Sequence, residues 1–183
     1  NITSYILSKK PKKVFVIEKD KNLSIKLLNT FKDKIIIINK DILLLESDKA
    51  RENAKPWEGG NDYKIEDWLV SYYRSDYIDK IMKELNIVGK PRFFYQKSNF
   101  HLKPHKDFGT QCGVNILLSD NPVPINIEGE DYYYTQALID LQREHSVIND
   151  NKERVLLKFS IPDKSFEQVA KEINYVVPHD LSS

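Results

Sequence analysis

The period of the apolar positions divides the chain into two halves. Val14 to Ile17 is a β-branched and aromatic run, Leu23, Leu27, Leu28 and Phe31 recur at helical spacing, and Ile35 to Ile38 is again continuously apolar. This predicts strand, helix, strand. The run Ile42 to Leu45 follows the polar turn Asn39-Lys40-Asp41, which predicts a hairpin with the run before it. Residues 48 to 63 are polar and carry Pro56, Gly59 and Gly60 around Trp57, so they predict a long loop, either a lid or an anchored surface segment. Ile65, Trp68, Leu69 and Tyr72 then fall on one helical face. Ile78, Ile81, Met82 and Leu85 fall on another, with Ser75 placed to cap that segment.

From Arg92 onward the period shortens. Phe93 to Tyr95, Val114 to Leu118, Ile125 to Ile127, Tyr132 to Thr135, Ala137 to Ile139, Ser146 to Ile148 and Val155 to Ile161 are short strand-like runs between turn residues. They predict an all-β half, a barrel or a sandwich, with Asn149-Asp150-Asn151 turning the last two runs into a hairpin. Ser165-Phe166-Glu167-Gln168 has the spacing of a capping box and opens a closing helix through Val169, Ala170 and Ile173. The expected organisation is one α+β, mainly β domain over 1–183. Residues 1–90 form a mixed supporting half, 91–162 the β core, and 163–183 a helix and tail.

Composition narrows the partners. The formal net charge is +1 with 30% charged residues, so no whole-molecule field gathers nucleic acid or an anionic membrane. The basic run Lys9-Lys10-Pro11-Lys12-Lys13 reads as solvated chain. Cys112 is the single cysteine, which excludes an intrachain disulfide and a cysteine zinc cluster and fits a reducing, cytoplasmic setting. No apolar run of membrane-spanning length occurs.

The chemistry concentrates on His105-Lys106-Asp107. Residues two apart on a strand share a face, so one imidazole and one carboxylate would project together and supply half of a metal site. Two histidines and a carboxylate leave three positions of an octahedral ion open, as non-haem Fe(II) requires. Of the other histidines, His145 lies within the β half, and Arg154 follows nine residues later with the fork geometry that clamps carboxylates. His101 shares the strand face of His105, but four residues span about 13 Å and Pro104 intervenes, so it reads as a non-ligand. His179 lies in a Pro-flanked tail, and Cys112 reads as a small buried residue. Without a metal, His105 and His145 would be ordinary imidazoles, Asp107 a turn residue before Gly109, and Arg154 the ion-pair partner of Glu153 or Asp140.

The order His105-x-Asp107, His145, Arg154 resembles the Fe(II)- and 2-oxoglutarate-dependent dioxygenase superfamily over roughly residues 93 to 161. Leu102, Asn115-Ile116-Leu117-Leu118 and Ala137-Leu138-Ile139-Asp140 fit the same context. The resemblance implies a double-stranded β-helix of the jelly-roll, cupin-like kind. It implies Fe(II) on His105, Asp107 and His145, and 2-oxoglutarate on Arg154. With O₂ consumed and succinate and CO₂ released, a small molecule or protein side chain would be hydroxylated. The tyrosine that many members place before the HxD corresponds to Tyr95, but Lys97-Ser98-Asn99 replaces the usual glycine and Leu156 a hydroxyl residue. Tyr95 and Asn115 are the further co-substrate candidates. The alternatives are a cupin-type metalloprotein without 2-oxoglutarate, a non-catalytic peptide-binding module on the same fold, and a nucleic-acid demethylase, which the near-neutral charge disfavours.

Overall fold

A computed structural model describes residues 14–32, 35–58, 67–120 and 123–173. The basic run at 9–13, the part of the expected loop from Gly59 to Tyr63, Ile65 and His179 lie outside them. Strand β1 (Val14–Glu18) pairs in parallel with β2 (Ile35–Asn39), and helix α1 (Lys21–Phe31) makes the crossover that a parallel pair requires. Asp20 caps α1, its carboxylate accepting from the backbone N–H of Asn22 and Leu23 at 2.8 and 3.1 Å.

The hairpin expected after β2 is a helix, α2 (Lys40–Arg51). Asn39 caps it by accepting from Ile42 N at 3.1 Å, so the polar triplet starts a helix where a turn was expected. The positions that α2 buries are Leu43, Glu46, Ser47 and Ala50, at helical spacing, whereas Ile42, Leu44 and Leu45 are exposed. The expected loop therefore starts inside α2, and Lys55–Pro56 forms a short edge strand, β3. Trp57 is anchored, its ring centroid 5.6 Å from that of Trp68 and 5.7 Å from that of Phe94.

The helical face expected around Trp68 is a strand, β4 (Trp68–Ser71). Pairing decides against the weak periodicity, because β4 runs antiparallel to β5 (Lys90–Gln96), with Trp68 opposite Gln96 and Val70 opposite Phe94. Helix α3 (Asp76–Leu85) forms as expected, with Ser75 as its cap and Ile78, Ile81, Met82 and Leu85 buried.

The β half contains β6 (His101–His105), β7 (Cys112–Leu117), β8 (Ile125–Ile127), β9 (Glu130–Tyr132), β10 (Gln136–Asp140), β11 (His145–Ile148) and β12 (Arg154–Ile161). Two antiparallel sheets result, in the orders β10-β7-β12-β5-β4-β3 and β6-β11-β8-β9. This is a double-stranded β-helix. Strand β9 begins earlier than the Tyr132 to Thr135 run suggests. Glu128 and Gly129, both at positive φ, turn the chain tightly so that Ile127 faces Glu130.

The expected hairpin at Asn149 to Asn151 is a crossing between sheets. β11 pairs with β6 and β8, and β12 with β5 and β7. The buried Asn149 amide fixes this corner, with the carbonyls of Gln96, Lys97 and Lys152 at 3.3, 2.7 and 2.9 Å. Alternation along β5 and β12 builds two cores. Phe93, Tyr95, Leu157 and Phe159 face the helices, joined by Leu43, Ile78 and Val169 of helix α4 (Phe166–Ile173). Phe94 and Leu156 face inward with Val70, and Phe100, Leu102, Ile125 and Val147 gather in a further inner cluster. Ser165 and Gln168 exchange the two hydrogen bonds of the capping box that opens α4.

Candidate metal centre and buried arginine

The antiparallel register of β6 and β11 sets His105 directly opposite His145, with ring centroids 4.3 Å apart. Asp107 does not share the strand with His105, as alternation suggested, because β6 ends at His105. A loop brings its carboxylate back instead. Its N–H donates to Leu141 O at 3.0 Å, and the Gln142 side chain donates to the carbonyls of Asp107 and Thr110 at 3.0 and 2.7 Å. Asp107 Oδ1 then lies 3.3 Å from His105 Nε2 and 3.6 Å from His145 Nε2.

One donor atom from each of the three residues lies within 4.8 Å of the others, an arrangement that can hold a metal ion. Each imidazole is oriented from behind. His105 Nδ1 is 2.8 Å from Lys103 O and His145 Nδ1 is 3.0 Å from Arg143 O, which leaves both Nε2 lone pairs for a ligand. Burial alone raises the Asp107 pKa, but the His105 hydrogen bond and the Lys158 ammonium together hold it well below the carboxylate range. For His105 burial lowers the pKa, and the bonds to Asp107 and Lys103 O outweigh it, so the net shift is upward. Burial dominates at His145 and lowers its pKa, favouring the neutral imidazole that a metal needs.

Arg154 reaches the same interior from the opposite sheet. It is 3% exposed, Nη1 donates to Gln96 Oε1 at 2.8 Å and Nη2 to Tyr134 Oη at 2.5 Å, and Nε has no partner. Neither acid weighed for it in sequence is its partner. Glu153 pairs with Arg51, and the Asp140 carboxylate accepts from Gln142 N. Asn115 donates to Tyr134 Oη at 3.3 Å while its buried Oδ1 has no partner. His145, Asn115, Arg154 and Lys158 line one cavity of about 410 Å³, open solvent at its mouth included.

The structure thus gathers His105, Asp107 and His145 at one point and places Arg154 and Asn115 in the cavity beside them. Tyr95 is not brought there. It stands on the helix-facing side of β5, where its hydroxyl donates to Ser47 O at 2.6 Å. Cys112 is buried, its thiol pushed up to about 11 chiefly by burial, as a structural residue requires. Sequence reasoning missed Gln96, Tyr134 and Lys158. Gln96 and Lys158 carry a legible signal, being two residues from Phe94 and four from Arg154 on the inward alternation. Tyr134 lies outside any strand and carries none.

No family model matches the chain. A prolyl-4-hydroxylase from Pseudomonas putida shares its fold with a TM-score of 0.52 and 9% identity, over 69% of this chain and 89% of that one. KdgF from Halomonas sp. is similar at a TM-score of 0.38 and 11% identity, over 57% of this chain and 87% of that one. In sequence, the ribosomal RNA small subunit methyltransferase A of Pelagibacter ubique (strain HTCC1062) is 34% identical over 103 residues, covering 47% of this chain. The chain spans 39% of the length of that relative. Among the described residues no helix is long and apolar enough to cross a membrane.

Proposed function

We propose that this chain is an Fe(II)- and 2-oxoglutarate-dependent oxygenase acting on a small molecule or a protein side chain. The observation that carries this is Arg154, a buried guanidinium bonded to neutral acceptors and sharing a cavity with His145, one member of the His-Asp-His cluster. An uncompensated buried charge costs several kcal/mol, which an anionic ligand repays. A dicarboxylate with one end at a metal on His105, Asp107 and His145 and the other at Arg154 satisfies both groups.

The donor set fits Fe(II), since two imidazoles and one carboxylate leave three positions for other ligands. When bound, the iron supplies the redox chemistry with O₂. The residues of the chain orient and enclose. Lys103 O and Arg143 O fix the imidazoles, Gln96 and Tyr134 hold the arginine fork, and Trp68, Leu102 and Leu156 make the cavity wall that limits water. The likeness to a prolyl hydroxylase supports the fold and chooses no substrate.

The test is anaerobic addition of Fe(II) and 2-oxoglutarate, followed by the weak visible charge-transfer band of the chelate, and then succinate release in air. A band that appears with both additions and disappears in His145→Ala is expected. Metal uptake without any band would favour the cupin-type metalloprotein that does not use 2-oxoglutarate. A second reading attaches to the methyltransferase similarity, which covers 47% of this chain. Calorimetric titration with a methyl donor tests it, and heat of binding would establish a second ligand site.

A further inference from the structure

All three residues of the cluster are held at the atom turned away from the others. For the imidazoles the holders are backbone carbonyls. For Asp107 it is a side chain, with Lys158 Nζ 2.8 Å from Oδ2, while Oδ1 alone faces the two Nε2 atoms.

Lys158 comes from the opposite sheet, at mid-strand in β12 and paired with Asn115, and its side chain is 13% exposed. After Arg154, no other residue of β12 carries a charge. The path of its stem is set by Gly113, where an added Cβ would lie 3.3 Å from Lys158 Cε and 3.1 Å from Leu141 Cδ1. A desolvated ammonium in an apolar strand is costly unless it meets an acid, and among the described residues the acid it meets is Asp107.

We propose that Lys158 is the positioning residue of this centre, holding Oδ2 of Asp107 so that the carboxylate offers a metal ion one oxygen only. The inference rests on the metal-binding reading above and deepens it. A carboxylate that binds through both oxygens takes an extra coordination position. Of six positions, three protein atoms leave three open, enough for a chelating co-substrate and O₂, and a fourth protein atom would leave two. Lys158 thereby keeps the third position free.

Affinity alone does not decide this, because removing a cation from beside the ion also favours metal binding. The ligation mode does. The experiment is the infrared difference spectrum of Mn(II)-loaded minus metal-free protein, in which one-oxygen ligation gives a wide separation of the two carboxylate stretches and two-oxygen ligation a narrow one. Asp107→Asn assigns the band by removing it, and melting of each metal-free variant checks the fold. A wide separation is expected in the wild type, a narrow one in Lys158→Met, and a return to wide in Lys158→Arg, which keeps the charged donor. A separation that stays wide in folded Lys158→Met overturns the role of Lys158 and leaves the metal site standing. A wild-type chain that takes up no Mn(II) overturns both.

Discussion

Replacing Arg154 by methionine separates what the arginine does for the fold from what it does for a ligand. The guanidinium is 3% exposed and bonded to two neutral acceptors. Replacing buried ionic groups by well-packed apolar side chains of similar volume is neutral or gains about 1 to 4 kcal/mol. Losing two hydrogen bonds to a charged donor costs about 1.5 to 3 kcal/mol each. The two effects oppose, and with that gain realised the ligand-free variant should lie between about 1 kcal/mol more stable and about 5 kcal/mol less stable than the wild type, centred near 2 kcal/mol less stable. For 2-oxoglutarate nothing compensates, because truncating one partner of a buried charge pair costs about 2 to 5 kcal/mol, roughly 30-fold to several thousand-fold in Kd. The assay is titration of the anaerobic Fe(II) protein, followed by the chelate band, with oxalate as a control that lacks the distal carboxylate. Melting gives an independent reading. Ligand at about 100 times the wild-type Kd stabilises the wild type by about 2.7 kcal/mol, and a variant weakened about 100-fold by about 0.4 kcal/mol. If 2-oxoglutarate affinity changes less than threefold while the variant is folded, Arg154 does not bind the co-substrate.

Three further outcomes are expected. Metal affinity, followed by Mn(II) titration across pH, should decline on acidification from above about 6.5, because the raised pKa of His105 lets protons compete early; a decline confined below pH 6 would contradict this. Tyr95→Phe should cost about 0.5 to 1.5 kcal/mol in denaturant unfolding through the lost bond to Ser47 O, with co-substrate affinity unchanged; weakened 2-oxoglutarate binding would return Tyr95 to the site. Gly89→Ala should destabilise by about 1 to 3 kcal/mol in thermal melts, since its Cβ would lie 2.6 Å from the backbone oxygen of Ser160; wild-type stability would show that β5 and β12 can shift apart.

The candidate ligands were legible because the chemistry of metal binding restricts which residue types serve and because the chain has few histidines. The path that brings them together was not. His105 and Asp107 were expected to meet by strand alternation, yet the strand ends and a loop held by Leu141 O and Gln142 does it. The run Ile42 to Leu45 misled because its apolar residues lie mostly on the exposed side of α2, while the buried Glu46 and Ser47 look like surface residues in sequence. Trp68 misled in the opposite sense, since four residues at helical spacing are too few to outweigh pairing with β5. Tyr95 and Gln96 are adjacent and face opposite sides of one strand, so a one-residue difference decided which belongs to the cavity.

Among the described residues strand β12 is the last strand in chain order, yet it sits between β7 and β5 at the centre of the six-stranded sheet. During synthesis, every residue of the His-Asp-His cluster is made before the strand that joins the two halves of that sheet. Until residues 154–161 emerge, β5 and β7 each present an unpaired edge bearing the aromatic and aliphatic side chains that later face inward and outward. Closure must bring together segments some 40 to 70 residues apart, a slow step for a nascent chain. A polypeptide cut short before Arg154 would therefore own all three side chains of the cluster and still have no barrel to hold them. Its unpaired edges would leave it prone to edge-to-edge association.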